Sequence, residues 1–136
     1  MSILNTLKCG AIHYGKDISV TAVNVFDDKR LYPLIVALTC KLETPDDMSQ
    51  LFKTIIQSWK DTNTDHLVGP LWSFATDGDS TRHAAGYSLF VQHPLQKSSQ
   101  LYWLLCDLHG LNLLTGQDEI TLDFDFKHIF KHQSAL

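Results

Sequence analysis

The chain has 136 residues, 44% of them apolar and 19% charged, with a formal net charge of −4. That length and composition suit one globular domain burying about two-thirds of its unfolded surface. The eleven Lys and Arg are dispersed with no basic stripe, which argues against unaided tight binding to duplex nucleic acid.

Cys9, Cys40 and Cys106 are odd in number and set in apolar sequence, the pattern of reduced core thiols rather than a disulfide framework. The opening "MSILNTLKCG" has no basic head followed by a long apolar run, so it does not read as a secretory signal. No stretch approaches the roughly 20 apolar residues that span a bilayer. An intracellular location, nuclear or cytoplasmic, is expected, with no membrane partner.

In chain order, "CGAIHYG" offers an early strand, and "DISVTAVNVF" from Asp17 to Phe26 is rich in β-branched residues and alternates Ile18, Val20 and Ala22 against Ser19, Thr21 and Val23, as a strand does. "DDKR" turns the chain. "LYPLIVALTCKL" from Leu31 to Leu42 is nearly all apolar after Pro33, the pattern of a strand covered on both faces. These runs predict an antiparallel three-stranded start. "TPDDMSQLFKTIIQSWKD" then supplies a capping Thr44, Pro45 at the first helical position, two acids in the first turn, and Met48, Leu51, Phe52, Ile55, Ile56 and Trp59 at helical spacing.

"DTNTDHLVGP" reads as a polar loop and "LWSFAT" as a strand; a second helix is predicted from about Ser80 to Gln92. Leu101 to Leu108 is apolar enough for helix or strand, "LHGLNLLTGQDE" is loop-like, and "ITLDFDF" alternates as a half-buried strand with Asp123 and Asp125 toward solvent. The order is that of an α/β (α+β) chain with a mixed sheet, an antiparallel three-stranded start and flanking helices, a partial RNase H-like arrangement within a single domain spanning residues 1–136. Element order by itself fits several folds.

The segment "WSFATDGDSTRHAAGYSLF" carries the most chemistry. Carboxylates at the carboxyl end of a strand serve as metal ligands in two-metal nucleases, where several acids hold a pair of Mg²⁺ ions about 4 Å apart. Asp77 occupies such a position, and Gly78 permits a sharp exit. Asp79 is placed to cap the following helix, and Asp-Gly-Asp-Ser is equally ordinary turn and cap chemistry. His128 and His132 are spaced i, i+4, but no Glu follows His128 as in a zinc-protease helix.

The blocks "GAIHYGKDISVTAVNVF", "ALTCKLET", "SFATDGDSTRHAAGYSLF" and "GLNLLTGQDEITLDFDFKHIFK" resemble fungal transposon-derived open reading frames with an RNase H-like, DDE/D transposase-type core, from about Gly10 to Lys131. The resemblance implies that Asp77 corresponds to the second catalytic aspartate, and that Asp125 with Lys127 and His128 matches a downstream D-x-K-H block. Asp125 then follows Asp77 as the weaker metal candidate, and Arg82, Lys127, His128 and Lys131 become nucleic-acid-proximal candidates. In those longer frames the first metal-binding aspartate lies upstream of the matched blocks and the third acid downstream of them. His83 and His132 stand where related frames often carry Arg, which lowers phosphate affinity.

Mg²⁺ surrenders water reluctantly and needs several fixed oxygens, so one surviving ligand does not hold a pair of ions. The leading expectation is a non-catalytic, degenerate fragment of a transposase core in which Asp77 is vestigial and no cofactor is held. A second is a protein-binding or nucleic-acid-binding assembly module, a homo-oligomer included, docking through an exposed sheet edge. A third is a small nuclease using Mg²⁺ or Mn²⁺ with Asp77, Asp79, Asp123 and Asp125, which requires the strands before Asp77 and around Asp125 to be neighbours.

Overall fold

The computed structural model describes residues 14–25, 28–77, 79–109 and 112–124. The chain divides at Glu43 and Thr44 into two compact units. The architecture is mixed α and β, with three separate two-stranded sheets among the described residues where the sequence predicted one mixed sheet.

The first unit contains an antiparallel pair, β1 (Asp17–Asn24) and β2 (Leu31–Thr39). Its register slips between Thr21 and Ala22, where Ile35 and Pro33 are the successive partners and Leu34 is left over. Pro33 lacks a backbone N–H, and a bulge beside it is one of the few ways a strand tolerates proline. The connecting turn is tied by Asp28, which accepts from the Arg30 side chain and amide and from the Tyr32 hydroxyl. The "CGAIHYG" strand falls largely outside the described residues.

β2 was expected to be covered on both faces, but within its own unit the hairpin leaves one face open. The cross-strand pairs Ile18 with Leu38 and Val20 with Val36 are 61–76% exposed. Among the described residues of this unit nothing packs over that face.

The second unit is built on α1 (Pro45–Asp61). Thr44 accepts from the Asp47 amide while the Asp47 carboxylate accepts from the Thr44 amide, a reciprocal capping box that satisfies two otherwise orphaned donors. Of the predicted stripe, Met48, Phe52, Ile55 and Trp59 are buried, while Leu51 and Ile56 are half-buried at its margins. Trp59 also donates its indole N–H to the Gly69 carbonyl at 3.0 Å. The segment read as a polar loop holds a single short helix, α2 (Thr64–Leu67).

β3 (Ser73–Thr76) leads into α3 (Ser80–Phe90), and β6 (Thr121–Phe124) runs parallel to β3. Between them lie β4 (His93–Pro94), α4 (Gln100–Leu105) and β5 (Leu114–Thr115), with β4 and β5 antiparallel. The core is an aromatic cluster that joins α1, β3 and α3. Phe74 lies 4.7 Å from Phe52 and 5.3 Å from Phe90 between ring centroids, and offset contacts of this kind add about 0.5–1.5 kcal/mol each to the burial itself. Gly86 sits where β6 crosses α3: a Cβ there would meet Leu122 Cδ1 at 2.8 Å.

A tight 3-10 turn, Gln117–Glu119, precedes β6. Asp118 and Glu119 are consecutive non-glycine residues in the left-handed region, at φ 61° and 59°. Each costs about 1–2 kcal/mol relative to ordinary backbone, less for Asp than for Glu. Opposing this, Lys60 binds the Asp118 carboxylate at 2.6 Å and Ser99 donates to Glu119 at 2.6 Å.

Candidate functional site

The parallel pairing of β3 with β6 brings two carboxyl ends together, since Thr76 is the partner of Phe124. Residues at such an edge are where open α/β sheets place their ligands. Asp77 directly follows β3, whose parallel neighbour is β6; the small-nuclease reading also needs the strand around Asp125 beside it, and Asp125 lies outside the described residues. Asp123 pairs with Ala75, one position short of that edge, and is exposed. Asp125, Lys127, His128 and Lys131 lie outside the described residues, as do Gly78, Cys9 and His132.

From Asp77 the chain enters α3 through two nested acids. The Asp79 carboxylate accepts from the amides of Thr81 at 3.0 Å and Arg82 at 3.1 Å, which makes it the helix N-cap. Asp77 accepts from the Asp79 amide at 3.4 Å and from Arg82 Nη1 at 2.9 Å. Arg82, a candidate for contacting nucleic acid, thus lends its guanidinium to Asp77.

Burial pushes the Asp77 carboxyl up, but the Arg82 charge, the Asp79 amide and the Arg82 hydrogen bond outweigh it. The net effect holds Asp77 below the usual carboxylate range. The group is therefore an anion at neutral pH, with its charge largely matched by its neighbour.

Thr76 was not singled out by the sequence. It is 7% exposed, and its hydroxyl oxygen has no hydrogen-bond partner among the described residues. Burying a hydroxyl this way costs about 1–3 kcal/mol. The alternation of β3 was the available signal: Thr76 shares the inward face with Phe74, in a position more often filled by an apolar residue.

Among the described residues no three His, Cys, Asp or Glu side chains converge to hold a metal ion. Cys40 and Cys106 are half-buried and free, and Cys106 lies at the end of α4. No helix of the described residues is long and apolar enough to cross a membrane. Comparison with known protein families, with curated proteins and with solved structures finds no match.

Proposed function

We propose that this chain is a non-catalytic domain derived from a fungal transposase-like core of RNase H type, with no phosphoryl-transfer chemistry of its own. The observation that carries the reading is the engagement of Asp77 by Arg82, Oδ2 to Nη1 at 2.9 Å. A ligand in a two-metal site must turn its oxygens toward the ions and share them with other carboxylates. Here Asp77 is bound by a guanidinium, and the next acid along the chain, Asp79, spends its carboxylate on helix amides. A strand that ends in an acid, enters a helix and lies parallel to a later strand is in keeping with the proposed ancestry.

The test is a nicking assay on supercoiled DNA with Mg²⁺ or Mn²⁺. The expected result is no cleavage above the protein-free control. Metal-dependent cleavage that is lost in Asp77→Ala would overturn the reading and favour the small nuclease.

A second reading, an assembly module, is favoured by the open apolar face of the first unit. Ile18, Val20, Val36 and Leu38 form adjacent cross-strand pairs rather than scattered exposed residues, and contiguous apolar surface of this kind marks association sites. Size-exclusion chromatography with light scattering tests it. Association abolished by Leu38→Glu supports a homo-oligomer, and a monomer at all accessible concentrations removes that possibility.

A further inference from the structure

We propose that the Gln117–Glu119 turn is a salt-sensitive clasp that opens and closes over a groove beside α1. The groove has a volume of about 650 Å³, and Lys53, Gln57, Lys60, Phe90, Gln117 and Asp118 are among the residues lining it. Two of these, Lys60 on α1 and Asp118 on the turn, form the ion pair that bridges the turn to the helix.

The closed turn sets two opposing effects against each other. Asp118 and Glu119 hold adjacent left-handed conformations that L-residues leave when released. Two side-chain links, to Lys60 and to Ser99, keep them there. The Lys60 link is half-exposed at both ends, 42% and 48%, so water and salt compete with it directly.

The turn also has a built-in hinge. Its base is closed by bonds from the Thr115 hydroxyl at 2.9 Å and the Gly116 amide at 3.2 Å, both donated to the Ile120 carbonyl. Thr115 and Ile120 are almost fully buried, so the base stays fixed when the tip moves. Opening gives up one partly buried bond, from the Ser99 hydroxyl to Glu119, while the same oxygen keeps its cap on α4 by accepting from the Leu101 amide and Lys60 and Asp118 pass into water. A segment that strains to leave, and whose tie to the helix is an exposed ion pair, opens without unfolding the base that anchors it.

Relaxation-dispersion NMR on the full chain reads this motion. The expected result is microsecond-to-millisecond exchange at the Gln117, Asp118 and Glu119 amides, separate from the amides of α1 and α3. In Lys60→Met, and in Asp118→Asn as an independent variant, the open population rises about two- to fivefold, the range set by loss of an exposed ion pair. High salt produces the same rise in the unmodified chain and no further rise in Lys60→Met. The proposal fails if the turn exchanges only in step with the helices, or if neither substitution nor salt changes its open population.

Discussion

Asp77 accepts from Arg82 across the first turn of α3, Nη1 to Oδ2 at 2.9 Å, while its other oxygen accepts from the Asp79 amide. Strand end, helix cap and first helical turn are thereby tied together by one carboxylate. Its lowered pKa is the thermodynamic trace of that tie. A carboxyl lowered on folding stabilises the native state above its unfolded pKa, and the contribution is lost as pH falls through the folded value.

Removing the cation tests this directly. In Arg82→Met, burial is opposed only by backbone hydrogen bonds, from the amides of Asp79 and of Asp77 itself, so the Asp77 midpoint moves up and acid unfolding begins at higher pH. At neutral pH the cost is about 1 kcal/mol or less, because the pair is partly exposed. Carbon-detected NMR titration of the Asp77 carboxyl checks the midpoint, and an unmoved value contradicts the assignment of Arg82 as its partner.

Thr76→Val removes the unsatisfied hydroxyl at nearly constant volume. The expected outcome is a gain of about 1 kcal/mol in urea denaturation. A loss of similar size would mean that the hydroxyl has a partner in solution.

Two glycines of the second unit should respond very differently to alanine. At Gly116 a Cβ would overlap the backbone carbonyl oxygen of Leu89, which has nowhere to go, so Gly116→Ala is expected to cost about 3 kcal/mol. At Gly86 the obstacle is the flexible end of Leu122, and the helix gains about 1 kcal/mol of intrinsic preference, so the net change is expected within about 1 kcal/mol of zero. Denaturant midpoints of the two variants rank them, and equal losses would contradict the distinction between backbone and side-chain obstacles.

In the first unit, Asp28 is held down to about 2 by the Arg30 side chain first, then by the Tyr32 hydroxyl and the Arg30 amide. The turn should therefore be intact above the ordinary aspartate pKa, weaken as pH falls below about 4, and be lost near 2. Chemical shifts of Tyr32 and Arg30 followed through that window report it. In Asp28→Asn the dependence should vanish.

Where local chemistry dominates, the sequence was readable. Thr44, Pro45 and the acids announce the start of α1, its apolar stripe names the buried face, and alternation marks β1 and β6. An aspartate between a strand and a helical run is readable as a cap, and Asp79 occupies that role. The partners chosen over long separations were not readable. Nothing in "ITLDFDF" states that it lies parallel to "SFAT", because pairing depends on shared burial under α3 rather than on either strand alone. Leu101 to Leu108 resisted reading because its apolar residues fit both periods; α4 takes only Gln100–Leu105, burying Leu101 and leaving Trp103 and Leu104 exposed. The choice of Arg82 as Asp77's neighbour was equally hidden, since a long flexible side chain reaches many positions and only packing selects one.

The union of β3 with β6 bears on the order in which the molecule is made. The hairpin of the first unit joins neighbouring strands, so it can close as soon as Thr39 leaves the ribosome. The second unit must keep Phe74 and its ring companions waiting until the Thr121–Phe124 segment emerges to lie beside them. During synthesis the nascent second unit thus passes through an interval with an unfinished core, the stage at which a chaperone would find most to hold.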